Sequence, residues 1–127
     1  MIPRRKVLAF SAGVEVATGL ALLVAPAFVA RLLLGGELPG LGLVVARCFG
    51  VALLALCLAV WPRKEVTTQA VHGMLLYNAG LAIYLAWLGT GGHLGGPMLW
   101  PAALVHAAVA TLLAAPLSTT RVPAAPR

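Results

Sequence analysis

Glu15, Arg47, Tyr77, Asn78 and His106 are the residues here with chemistry to offer, and each lies inside an otherwise apolar run. Glutamate and histidine can exchange protons, arginine can hold an anion, and asparagine and tyrosine can fix a ligand or a neighbour by hydrogen bonds. An ionisable side chain in hydrocarbon costs about 3 kcal/mol or more unless it is paired, so each such residue is a functional candidate by default. What these five can do depends on whether the elements carrying them bring them to one place.

The composition says what those elements are. Of 127 residues, 61% are hydrophobic and only 9% charged, where an ordinary soluble domain carries roughly 25% charged residues. Mean hydropathy is +1.00. Such a chain lacks the polar surface that water demands and suits lipid instead. The net charge of +6 does not point to nucleic acid, because the Lys and Arg residues fall in short clusters between apolar runs, the pattern of membrane topology. A surface affinity for anionic headgroups is the expected consequence of that charge.

A bilayer core takes roughly 20 apolar residues per helix. Segments of that kind run over residues 7–30, 41–60, 69–89 and 98–115, and they predict an all-α integral membrane protein, a four-helix bundle. Gly35, Gly36, Pro39 and Gly40 break the first pair, and Pro62 to Glu65 the second. The glycine-rich run from Gly89 to Pro97 predicts a flexible turn. Pro26 is expected to bend or end the first helix, turning Phe28 to Leu34 along the interface. Residues 116–127, rich in Pro, Ala and Thr, are expected to form a disordered cytoplasmic tail. With the N-terminus inside, Arg4, Arg5, Lys6, Arg63, Lys64, Arg121 and Arg127 are all cytoplasmic and only Arg31 lies outside, which predicts an N-in/C-in orientation. The basic start and Ala25-Pro26-Ala27 have something of a signal peptide, but the long run, Glu15 and the proline argue for a retained span.

Depth arithmetic then gathers the candidates. At 1.5 Å per residue, Glu15 lies roughly 12 Å from the inner face, Arg47 roughly 20 Å, and Asn78 and His106 near 14 Å. A long arginine reaching inward would close most of that offset, so a buried Glu15–Arg47 ion pair is expected, with Asn78, His106 and the adjacent Tyr77 in the same layer. A carboxylate held by a guanidinium is a poor proton carrier, which weighs against a pump. The structural alternative is a polar network that fixes register in a small bundle, at about 0.6–2 kcal/mol per hydrogen bond in lipid.

Other features point to packing. Ser11, Glu15 and Gly19, then Gly73, Tyr77, Gly80 and Tyr84, then Ala103, Ala107, Ala110 and Ala114 form stripes that let helices approach. Trp61, Trp87 and Trp100 stand near span ends, where aromatic rings favour the interface. Cys48 and Cys57 are about 13 Å apart along one helix, too far to bridge, and are expected to be small buried hydrophobes. His72 and His106 differ by about 9 Å in depth, unsuited to a shared haem, and His93 is expected to be a solvated loop residue. No nucleophile motif, phosphate loop or metal spacing occurs. No cofactor and no metal are expected, and catalysis has no residues that call for it.

The stretches GVEVATGLALLVAP, RLLLGGEL and VVARCFGVALLAL, with YNAGLAIYLAWLG and GGPMLWPAALVHA, resemble small bacterial four-helix membrane proteins of the DoxX-like group over most of residues 7–115. That resemblance implies a bacterial inner-membrane location and a four-helix bundle. A lone glutamate in the first span is also similar to the small multidrug resistance transporters. Those transporters leave it unpaired, whereas this chain carries Arg47 in the next span, and their patterns in the last two helices are missing.

The expected function is therefore that of a non-catalytic accessory, assembly or scaffold subunit, working with the bilayer and with other membrane proteins or a second copy. The alternatives are a small transporter or ligand binder using the midplane cluster, and a membrane enzyme acting on quinone or lipid.

Overall fold

A computed structural model describes residues 2–61, 65–92 and 94–115. Pro62 to Lys64, His93 and the tail 116–127 lie outside the described residues. All regular structure among the described residues is helical: α1 Arg4–Val24, α2 Pro26–Leu34, α3 Gly40–Val60, α4 Thr68–Thr90 and α5 Leu99–Ala114. The helices α1, α3 and α4 are long and apolar enough to cross a membrane, while α5 is a shorter apolar helix of 16 residues.

The first apolar run does not form one helix. Proline has no N–H to continue the ladder and drives the preceding residue out of the helical region. Ala25 accordingly takes φ −136° and ψ 58°, closing α1 through its own N–H to the Ala21 carbonyl, and Pro26 opens α2 as its first residue. Left-handed Gly35 (φ 73°) ends α2. At the start of α4, Thr67 accepts a hydrogen bond from the Ala70 amide at 3.2 Å, satisfying one free donor of the first turn.

The glycine run before α5 is not a free turn. The amides of Gly95, Gly96 and Met98 donate to the carbonyls of Leu34, Leu33 and Leu32 at 2.9, 3.2 and 2.9 Å. These are last-turn carbonyls of α2 with no partner inside their own helix. The approach is so close that a Cβ at Gly96 would collide with the Leu32 carbonyl. Flexible composition thus becomes a fixed dock, because bare backbone at Gly95 and Gly96 can lie against bare carbonyls.

Two antiparallel helix pairs make up the body, α1 with α3 and α4 with α5. In the first pair, Cys57 donates its S–H to the Ala12 carbonyl, and farther along Gly50 meets Gly19. A Cβ on Gly50 would stand 2.7 Å from the Gly19 oxygen, so the two glycines set how closely these backbones cross. Cys48, expected to be buried, is exposed on α3, off this face.

Contact between the pairs runs through a layered interior. At the end where α1 begins, Val7, Leu8, Val60, Val71, Met74, Val109 and Leu113 form an apolar core. Toward the other end, Leu22, Leu85, Leu99 and Ala103 are buried. The polar residues Ser11, Glu15, Asn78 and His106 lie between these two layers along their helices, all buried. Outside, Val24, Leu41, Leu58, Leu76 and Ile83 are more than 70% exposed, at 82, 80, 76, 76 and 72%. An apolar surface of this kind calls for lipid rather than water. Trp61, Trp87 and Trp100 are exposed. Thr18, Thr90 and Thr111 turn their hydroxyls back onto the carbonyls of Val14, Ala86 and Ala107, which satisfies these three hydroxyls within their own helices.

Candidate functional site

Of the five candidates, four meet. Glu15 projects from α1, Tyr77 and Asn78 from α4, and His106 from α5. The Tyr77 hydroxyl donates to Glu15 Oε2 at 2.7 Å. Asn78 Nδ2 donates to the Met74 carbonyl at 2.8 Å and to Ser11 Oγ at 3.2 Å. With that amide nitrogen committed to two acceptors, Asn78 Oδ1 is the atom that faces His106 Nδ1, at 2.9 Å. A carbonyl oxygen only accepts, so His106 carries its proton on Nδ1. The Tyr77 and His106 rings meet edge to face, 5.8 Å between centroids at 83°.

Tyr77 to Glu15 and Asn78 to Ser11 join α4 to α1 and so clasp one helix pair to the other, while Asn78 to His106 ties α5 to α4 within its pair. Ser11 is the member that spacing alone did not single out as a partner. It stands one turn before Glu15 on the same face, which was the available signal.

Arg47 is not in the cluster, and there is no Glu15–Arg47 ion pair. Its side chain is exposed and its Nε donates to the Leu23 carbonyl at 3.3 Å. The Ala12–Cys57 and Gly19–Gly50 contacts place Arg47 level with the last turn of α1, about two turns from Glu15, and its side chain does not reach inward across that offset. There it satisfies a carbonyl that the proline break leaves without an amide, at the negative end of the helix dipole.

Glu15 is left with an unusual environment. It is 2% exposed, and its Oε1 has no hydrogen-bond partner. The nearest group able to carry positive charge is His106, with Nδ1 at 3.8 Å from that oxygen. This distance is beyond a direct hydrogen bond. Glu15 and His106 together form a pair that is uncharged overall whether the proton sits on one or the other. Two hollows open at the end where α1 begins, and neither is lined by any member of the cluster. Among the described residues, no three of His, Cys, Asp and Glu come together as a metal set.

Replacing Tyr77 by phenylalanine removes the hydrogen bond to Glu15 and little volume. A loss of about 1–2 kcal/mol is expected, the range for a hydrogen bond to a charged or buried acceptor in lipid. Thermal unfolding in mild detergent measures it, and a Tyr77→Phe protein as stable as the wild type would show that the bond contributes nothing.

Comparison with protein-family models, with curated proteins and with solved structures finds no match to this chain.

Proposed function

We propose that this chain is a non-catalytic, multi-pass protein of the bacterial inner membrane. It is a four-span bundle with both termini cytoplasmic, acting as an accessory, assembly or scaffold subunit for other membrane proteins or for a second copy of itself. The carrying observation is how the cluster uses its groups. Tyr77, Ser11, Asn78 and His106 direct their hydrogen bonds at one another and at Glu15, and two of these bonds, Tyr77 to Glu15 and Asn78 to Ser11, cross the seam between the helix pairs. A site built to receive substrate would aim such groups into a cavity.

The topology has its own support. Arg4 Nη2 donates to the Ala115 carbonyl at 2.8 Å, so the start of α1 and the end of α5 share one end of the molecule. That end carries Arg4, Arg5 and Lys6, the pattern of a cytoplasmic face. The DoxX-like resemblance points the same way.

A second reading rests on one atom. The unpartnered Glu15 Oε1 beside His106 suits a buried water, proton or small cationic ligand, and so a ligand-binding role.

One purification decides between them. Wild type and Glu15→Gln are prepared in mild detergent, with copurified small molecules identified by mass spectrometry and thermal stability recorded. Fluorescent and periplasm-active reporters fused after Arg127 give the side of the C-terminus. The scaffold reading expects a destabilised variant, no molecule lost with the carboxylate, and an inside C-terminus. A folded Glu15→Gln protein that has lost a bound molecule would establish the ligand-binding reading instead.

A further inference from the structure

At the end of the molecule where α1 begins, a hollow of about 340 Å³ opens between α4, α5 and the first turn of α1. Its lining includes Arg4, His72, Val71, Leu75, Leu113 and Ala114. Val71 and Leu113 are buried members of the apolar core and form the floor, while His72 and Ala114 are exposed. The hollow therefore joins an apolar floor to a cationic and hydrogen-bonding rim.

We infer that this hollow is a binding groove for one anionic diacyl phospholipid, its phosphodiester held at Arg4 and His72 and its acyl chains lying along α4 and α5. The charge matches. Arg4 gives one N–H to the Ala115 carbonyl, and a guanidinium has five, so donors remain for a phosphate oxygen. Arg5 and Lys6 follow Arg4 directly, adding positive field at the same end. The acidic side chain at that end, Glu65, lines the separate hollow beside Trp61. The apolar half matches as well. Leu76 on α4 and Leu104 on α5 are 76% and 68% exposed, so the helices that wall the groove continue into lipid-facing surface on which acyl chains can rest. Basic hollows between spanning helices on the cytoplasmic side are recognised sites for anionic headgroups.

This inference rests on the chain spanning a bilayer as proposed above, and the test separates the two. The protein is inserted into nanodiscs of equal parts phosphatidylglycerol and phosphatidylcholine, released, and weighed by native mass spectrometry. Wild type is expected to retain one phosphatidylglycerol per chain. A basic group near a headgroup contributes about 1 kcal/mol, so Arg4→Gln is expected to lower retention about fivefold or more. Ala114→Phe fills the groove without touching a charge and is expected to lower it to a similar extent. Arg5→Gln, on a residue outside the lining that adds only to the general field, is expected to lower retention less than Arg4→Gln does. Equal retention of phosphatidylcholine, full retention by Ala114→Phe, or an equal loss in Arg5→Gln would overturn the groove, as would a peptide found in place of lipid. A chain that stays in water and does not enter nanodiscs would overturn the membrane reading itself.

Discussion

Asn78→Leu is expected to destabilise the protein by about 2–4 kcal/mol, although leucine shares asparagine's branching at Cγ and is the more apolar side chain. Asn78 is 1% exposed and serves three partners at once: Ser11 on α1 across the seam between the pairs, Met74 on its own helix and His106 on α5. Removing it leaves the His106 Nδ1–H and the Ser11 hydroxyl in an apolar interior without their partner. An orphaned buried polar group costs about 1–3 kcal/mol, reduced in lipid because the unfolded helices also find partners. Combining Asn78→Leu with Ser11→Ala and His106→Phe removes the stranded groups along with their partner, and much of the loss is expected to return. Chemical or thermal unfolding in detergent measures both proteins. A single variant as stable as wild type would mean that the amide bridges nothing.

The second large effect is expected at Gly96. Its missing side chain is what lets the loop before α5 dock on the end of α2. A Cβ there would strike the Leu32 carbonyl and stand 2.6 Å from the Arg31 oxygen, both rigid backbone. Gly96→Val therefore forces the loop away, and the Leu32, Leu33 and Leu34 carbonyls lose their three amides together. Overpacking costs about 1–3 kcal/mol, and the lost hydrogen bonds add to it where water does not replace them, so a loss of about 2–4 kcal/mol is expected. Gly73 provides the calibration. Nothing stands within 4 Å of its Cβ position in α4, so Gly73→Ala is expected to be neutral or to stabilise by about 0.5–1 kcal/mol through helix propensity. If Gly96→Val melts with Gly73→Ala and wild type, the loop is not held as described.

How far these features were legible from the chain varies with their cause. The middle apolar runs, 41–60 and 69–89, fall within a residue of α3 and α4, because prolines, glycines and charges at their ends leave no room to continue a helix in hydrocarbon. The polar layer was legible for the same reason. A helix rises by a fixed amount, so depth can be counted, and the count brought Glu15, Asn78 and His106 together. For Arg47 the count itself held, since it put the residue farther out than Glu15, and what failed was the expectation that its side chain would reach inward. It turns instead to the Leu23 carbonyl, which the break before Pro26 leaves without an amide. The dock of Gly95 and Gly96 on α2 was illegible for a different reason. It joins residues about sixty positions apart through backbone atoms that every residue type shares. Composition there reports permission to bend, not the partner that ends the bending. Cys48 shows a third limit. An apolar residue in an apolar run carries no mark of which face meets protein and which meets lipid.

The cluster's central role is that of a clasp between the two helix pairs. A double-mutant cycle between Glu15→Leu on α1 and Tyr77→Phe on α4, read as unfolding free energy in detergent with copurified molecules weighed in parallel, tests that most directly. The clasp predicts that each change destabilises, that the pair costs less than the two singles added, with a coupling of about 1 kcal/mol or more, and that the same small molecules accompany all four proteins. Effects that add to within about 0.3–0.5 kcal/mol, or variants as stable as wild type that have lost a bound molecule, would contradict it.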